Sequence, residues 1–263
     1  MDEKKSGKPT IRVWEEAEIE RSALDASSRA AASLEIADIA RYKAPPSSTA
    51  YPLEYCCHLL GDVQGKVALD LGCGAGENSV ILAMRGAHVY ALDISPDLME
   101  LARRRFEVMK ISTQHVRFVV ASAYDTTLPD DSVDVVFGIA ILHHLDLELA
   151  QKEVYRVLRK GGVAIFQEPV RDSKFIRFVR GLIPYKSPDV SPFERPLTSE
   201  ELESFSAPFS LMEQRAFYLP HVPLVKLLYP RLNNVACKWD GRMLAAMPFL
   251  KRYAGVRVLK LKK

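Results

Sequence analysis

No apolar run in this chain reaches the ~20 residues that a helix needs to span a bilayer, and the N-terminus is charged rather than signal-like. Integral membrane contact is therefore not expected. Cysteine is scarce: the four are Cys56, Cys57, Cys73 and Cys237, with no Cys-x-x-Cys pair among them. The adjacent Cys56 and Cys57 are poorly placed to chelate zinc, so no metal site is expected, and reduced thiols in a cytoplasmic setting are. An excess of one charge is missing too. The 36 basic and 33 acidic residues leave a formal net charge of +3, too balanced to argue for a nucleic-acid partner. What the chain has in quantity is apolar side chains, 48% of its 263 residues. That is enough for one large core carrying inserted elements, rather than two independent domains.

Lys66 to Asp93, KVALDLGCGAGENSVILAMRGAHVYALD, organises the rest. Lys66–Leu71 is an apolar run short enough for a strand buried on both faces. Gly72, Gly74 and Gly76 follow, where the chain turns sharply and a ligand can approach its backbone. Glu77–Met84 reads as a helix and His88–Leu92 as a second buried strand closing on Asp93. A helix N-terminus and bare loop amides attract the polar and anionic parts of a ligand, and an acid about 20 residues past the glycines can take both hydroxyls of a ribose. The third glycine of a dinucleotide loop is lacking, because Glu77 occupies its slot. Asp70 would also sit badly beside a pyrophosphate, whereas it suits an ammonium group. Ribose, adenine and an amino-acid end together describe S-adenosylmethionine. Taken alone, the glycines would equally serve close helix–strand packing.

Asp70-Leu71-Gly72-Cys73-Gly74-Ala75-Gly76 resembles the first motif of class I S-adenosylmethionine-dependent methyltransferases. Asp93-Ile94-Ser95-Pro96-Asp97-Leu98-Met99 resembles the second-strand motif of that family. The run from Asp131-Ser132-Val133-Asp134 through Leu142-His143-His144-Leu145 to Arg156-Val157-Leu158-Arg159-Lys160-Gly161-Gly162 resembles its small-molecule branch. The resemblance covers residues 60 to 169 well and the remainder loosely. It implies an α/β, Rossmann-like fold, a doubly wound and mostly parallel sheet of about seven strands. It also implies S-adenosyl-L-methionine as cofactor, held by Asp70, Gly72, Cys73, Gly74, Gly76, Asp93, Ile94, Leu98, Ser122, Ala123 and Ile139, with Ile94 and Leu98 against the adenine. Ser122 is a departure, since the family usually has an acid there; a hydroxyl or the neighbouring backbone still accepts the adenine amino proton. Asp125, three residues on, is a weaker substitute.

Elsewhere the chain reads as elements in alternation. Val13 to Tyr42 is one or two helices and Tyr51–Leu60 a short helix, with Pro45-Pro46 as a breaker between them. Residues 1–60 thus form a tail and helical cover, from which Arg41, Tyr42 and Tyr51 are candidates to meet cofactor or substrate. Ser95-Pro96-Asp97 opens a helix whose Arg103-Arg104-Arg105 reads as a solvated edge. Val116–Val120 is a third strand, Val133–Phe137 a fourth, and Gly138–Leu145 a loop. Leu147–Leu158 is an amphipathic helix closed by Arg159-Lys160-Gly161-Gly162 as a basic last turn and glycine cap. Val163–Gln167 is a fifth strand, completing a cofactor-binding core over residues 61–169. In residues 170–263, Thr198-Ser199-Glu200-Glu201 caps a short helix, Leu211–Leu219 and Val256–Leu261 are further strands, and Arg171–Arg195 with Pro220–Tyr253 are insertions forming a substrate lid.

Methyl transfer asks mainly for positioning and exclusion of water, and for a base only when the acceptor must lose a proton. His144 and His143, just past the fourth strand, are the first candidates, with Glu168 to orient such a histidine and His221 as an alternative base. The apolar lid points to a small, lipophilic acceptor methylated at oxygen. A second reading of Leu224–Leu232 is weak peripheral contact with a membrane or a greasy carrier. Alternatives are an RNA methyltransferase, disfavoured by the missing Asn/Asp-Pro-Pro-aromatic pattern, and a cofactor-binding protein without turnover.

Overall fold

Short apolar runs become strands here and amphipathic stretches become helices. The structure, a computed structural model, describes residues 11–29, 35–172 and 195–263. The elements run α1 (Ile11–Arg29), a 3₁₀ turn (Ile39–Tyr42), α2 (Pro52–Leu60), β1 (Val67–Leu71), α3 (Glu77–Met84), β2 (His88–Asp93), α4 (Pro96–Val108), β3 (Val116–Val120) and β4 (Val133–Ile139). After a 3₁₀ turn (Leu142–His144) come α5 (Leu147–Val157), β5 (Leu158–Pro169), α6 (Ser199–Ser206), β6 (Ser210–Phe217), α7 (His221–Leu228), α8 (Asn233–Ala246) and β7 (Val256–Lys262). Helix starts follow their capping residues. The Ser95 hydroxyl accepts from Leu98 N–H at 3.3 Å, Asp146 accepts from Glu148 and Leu149 N–H, and Thr198 with Glu201 makes a full capping box.

One sheet results, in the order β3-β2-β1-β4-β5-β7-β6. Strands β1 to β5 pair in parallel, and β7 lies antiparallel between β5 and β6. The chain winds outward from β1 to β3, then returns to place β4 and β5 on the other side of β1. The switch between β1 and β4 opens a crevice beyond the carboxyl ends of the strands. Leu69 and Leu71 pack on one face with Val136, Phe166 and Phe205, and Ala68 on the other with Phe137, Leu82 and Tyr55. Both faces are thus covered, which is why the central strands read as continuous apolar runs.

Several expectations are corrected. Arg159–Gly162 is not the end of a helix. The helix stops at Val157, Leu158 is extended and pairs with Val133, and Gly161 and Gly162 exchange hydrogen bonds with Lys263 at 2.9 and 3.0 Å. A strand 100 residues further on claims these backbone groups before a helix can. β4 runs past Phe137 to Ile139, because Gly138 pairs with Phe166 and a Cβ on it would lie 2.5 Å from that ring. Arg105 is not a solvated edge: its side chain is buried, donating to Ala75 O at 2.7 Å and pairing with Glu77 at 2.9 Å. The expected insertion Arg171–Arg195 lies, except at its ends, outside the described residues. Pro220–Tyr253 forms α7, α8 and two 3₁₀ turns, and Leu244 packs there with Ala216, Leu219 and Ala254 at the β6 side of the sheet.

Candidate active site

The loop after β1 is built from glycines in the left-handed region. Gly76, at φ +80°, caps α3, and a Cβ there would lie 2.8 Å from Ala102 Cβ, so loop and α4 close on each other. Gly74, at φ +53°, has no atom within 4 Å of where a Cβ would stand. Its backbone faces open space. Its N–H donates to Asp93 Oδ2 at 2.8 Å, while Ser95 N–H donates to Asp93 Oδ1 at 3.0 Å. The tip of β2 is thereby tied to the glycine loop, and each Asp93 oxygen keeps a further lone pair. Burial raises the Asp93 carboxyl above its ordinary range, opposed by the Ser95 and Gly74 amides.

Asp70 is wholly buried behind that loop. Ser79 Oγ donates to its Oδ2 at 2.5 Å, and its Oδ1 has no hydrogen-bond partner among the described residues. Burial pushes the Asp70 carboxyl up to about 7; Ser79 pulls against that and the Asp93 charge adds to it.

Above the loop lies a cavity of about 420 Å³, within the range of small-molecule sites. Gly72, Cys73, Gly74, Asp93, Ile94, Leu98, Ser122, Ala123, Ile139 and His144 all line it. Asp70, Gly76, His143, Glu168 and His221 do not. The Ser122 hydroxyl accepts from Tyr124 N–H at 3.0 Å. Glu168 Oε1 accepts from Ile141 and Leu142 N–H at 3.0 and 2.8 Å, and its Oε2 lies 2.8 Å from His143 Nδ1. This buried pair fixes the turn that carries His144 to the cavity wall. His221 begins α7, away from the cavity.

The far wall is α1, a helix of the expected cover, but the residues it contributes are not those singled out from the sequence. Trp14, Glu15, Glu18, Arg21, Ser22 and Asp25 face the cavity at helical spacing. Glu18 pairs with Arg21, and its Oε2 lies 3.6 Å from His144 Nδ1. Burial works against its charge, yet the neighbouring His144 and Arg21 hold the Glu18 carboxyl down at about 2. The expected contributors Arg41, Tyr42 and Tyr51 do not reach the cavity. Arg41 pairs with Glu54 at 2.5 Å and lies 4.7 Å over the Tyr51 ring. The readable signal was the 14, 18, 21, 25 stripe, a polar face with one large aromatic.

These residues fit S-adenosylmethionine. Asp93 meets the demands of a ribose at the tip of β2, and the backbone at Gly74 admits close approach. Residues 69–166 match a family described as a methyltransferase domain. The chain is similar to a malonyl-[acyl-carrier protein] O-methyltransferase of Serratia marcescens, 35% identical over 103 residues that are 39% of this chain and 38% of that protein. It is similar also to a ubiquinone biosynthesis O-methyltransferase of Alkalilimnicola ehrlichii, 28% identical over 180 residues, 65% of this chain and 71% of the other. In fold it resembles a putative sarcosine dimethylglycine methyltransferase from Galdieria sulphuraria, with a TM-score of 0.58 at 16% identity over 80% of this chain and 84% of that one. The chain spans less than half the length of the first curated relatives it matches, at 38%, 42% and 29%. Residues 69–166 thus match a methyltransferase domain, and they lie on the same fold as the methyltransferase structure that the chain resembles. Among the described residues no helix is long and apolar enough to cross a membrane.

Proposed function

We propose that the protein transfers a methyl group from S-adenosylmethionine to a small, lipophilic acceptor, at oxygen. The observation that carries this is the meeting of the glycine loop, Asp93 and His144 in the wall of one cavity. When bound, the cofactor supplies both the electrophilic methyl and its leaving group. The chain's own work is then to hold, orient and dry. Asp93 takes the ribose hydroxyls, Ile94 and Leu98 flank the adenine, and the Ser122–Ala123 backbone stands at its edge. Asp70 favours the ammonium end from behind the loop. Glu18 faces His144 Nδ1, which leaves Nε2 to take the proton of an acceptor hydroxyl. Leu53, Ile139, Ile141 and Leu145 give the cavity its apolar share, which supports a lipophilic acceptor. The relatives named as O-methyltransferases support oxygen as the attacked atom.

The test is calorimetric titration with S-adenosylhomocysteine, followed by labelled-methyl transfer to a panel of hydrophobic phenols, hydroxylated lipids and carboxylic acids. Binding with transfer to members of that panel is expected. No uptake of S-adenosylmethionine or S-adenosylhomocysteine overturns the proposal. Binding without transfer to any acceptor would make this a cofactor-binding protein without turnover. Transfer confined to RNA, weakening steeply with salt, would make it a nucleic-acid enzyme.

A further inference from the structure

Segment 220–253 shows the solvent what a folded surface ordinarily hides. On α7, Leu224, Leu227 and Leu228 are exposed at spacings of three and four, Leu227 to 77%. Tyr229 and Leu232 follow in the connection, and Phe249 stands in the 3₁₀ turn Pro248–Tyr253, at 61%, 53% and 63% exposed. On α8, Val235, Lys238, Trp239 and Arg242 are exposed and recur at i, i+3, i+4 and i+7, one stripe of the helix. The opposite stripe, Ala236, Cys237, Asp240 and Leu244, is buried. So α8 is amphipathic in an unusual sense: its outer face is the one with the tryptophan. An exposed apolar face of this composition marks a contact site.

Charge selects the occupant. Segment 220–253 holds six basic residues, Lys226, Arg231, Lys238, Arg242, Lys251 and Arg252, all exposed. Its one acid, Asp240, is buried, where it accepts Tyr218 and Leu219 N–H at 2.9 and 2.8 Å. The segment's surplus of five positive charges exceeds the +3 of the whole chain, so the remainder is slightly acidic. Leucine, tryptophan, tyrosine and phenylalanine interleaved with lysine and arginine, and no exposed acid, is the composition of a face that lies in an anionic lipid interface. Pairing of this face with itself in a symmetric dimer would set base against base, since segment 220–253 exposes no acid.

We propose that α7, α8 and their connecting turns dock the protein reversibly on anionic phospholipid bilayers. The leucines, Trp239 and Phe249 enter the headgroup boundary, and the lysines and arginines meet lipid phosphates. The module is seated firmly enough to transmit this contact. Asp240 pins α8 to the end of β6, and Tyr51 Oη donates to Asn234 Oδ1 at 2.8 Å. Tyr51 precedes α2, whose Leu53 lines the cavity. The docked face is thus one short helix away from the site.

Co-sedimentation of the full chain with sucrose-loaded vesicles tests this, comparing phosphatidylcholine alone with phosphatidylcholine mixed with phosphatidylglycerol. Binding to the mixed vesicles is expected, with at least about tenfold loss in high salt or in Arg231→Glu with Lys238→Glu. Trp239 emission should shift to the blue on binding, and Trp239→Phe should lose the shift while the protein still sediments. Leu227→Ser serves as a second, milder variant, expected to weaken sedimentation at unchanged melting temperature. No binding to the mixed vesicles overturns the proposal, as does equal binding to neutral ones. A concentration-dependent dimer abolished by Leu227→Ser, or retention of single-stranded RNA in place of vesicles, would assign the face to those partners instead. Docking uses this surface alone and not the cavity. Failure of vesicle binding would leave methyl transfer to dispersed acceptors untouched, and failure of transfer would leave vesicle binding.

Discussion

Asp70 answers two opposed demands with one side chain. Burial raises its carboxyl from 3.8 to about 7, and Oδ1 has no hydrogen-bond partner among the described residues. An aspartate raised in the native state holds its proton after the unfolded chain has lost it, so native stability falls as pH climbs from about 4 to about 7. The difference is at most about 4 kcal/mol. A cation held in the cavity in front of the glycine loop favours the charged form of Asp70 behind it. Binding of S-adenosylhomocysteine, which keeps the ammonium group, is therefore expected to expel a proton near pH 7. Calorimetry in buffers of different ionisation enthalpy would show it, and Asp70→Asn should abolish the buffer dependence; an unchanged heat across buffers in the native protein would remove Asp70 from this role. Asp93→Ala should weaken the same binding by ~1–3 kcal/mol, since it leaves the Gly74 and Ser95 amides unmatched as well as the ribose. The histidines divide. His144→Ala is expected to cost ~10²–10⁴-fold in turnover with cofactor affinity kept, and full activity would end its assignment as base. Glu168→Gln acts differently, because a carboxamide would turn an NH₂ toward the Ile141 and Leu142 N–H groups or toward His143. A loss of ~1–3 kcal/mol of stability is expected in a denaturant melt.

Among the elements, α1 closes the cavity that the sheet leaves open. It packs on α4 through Ala26, buried with Ala75, Leu98 and Leu101, while Glu18 reaches His144. A chain lacking residues 1–29 should keep the seven-stranded core, whose clusters draw nothing from α1. It should bind S-adenosylhomocysteine about tenfold more weakly, a loss of about 1.4 kcal/mol. Unchanged affinity would mean that α1 is only a cover. The same helix shows where the sequence stops being legible. The strand–loop–helix–strand unit could be read because its information is local: short apolar runs, glycines at alternate positions, a serine cap before Pro96. Apart from Trp14, the inner face of α1 carries Glu15, Glu18, Arg21, Ser22 and Asp25, so most of it belongs by pattern in solvent. Only the cavity beside it explains that face. Arg105 was misread for a similar reason, since its partners, Ala75 O and Glu77, lie about thirty residues away. The start of β5 depends on Lys263, which no local pattern announces.

At the scale of the molecule, the two functional faces differ in what they ask of the solvent. The cavity is lined by acids and apolar groups around Asp93 and Glu18 and gains from exclusion of water. Segment 220–253 gathers the positive surplus of the chain and meets water with leucines. If the acceptor is lipophilic and the face docks on anionic lipid, the bilayer concentrates enzyme and acceptor together. Turnover on a lipophilic acceptor presented in phosphatidylglycerol-containing vesicles should then show a severalfold lower bulk KM than on the same acceptor dispersed in neutral vesicles. The value of kcat should stay the same, because the cavity chemistry is unaltered. Raising the salt should return KM to the neutral-vesicle value by screening the lysines and arginines, while a short water-soluble acceptor should show no dependence on lipid or salt. A salt-sensitive KM on the soluble acceptor would place the charge effect at the cavity rather than at the surface of α7 and α8. Equal KM in both vesicle types would separate docking from substrate delivery and leave the face without a part in turnover.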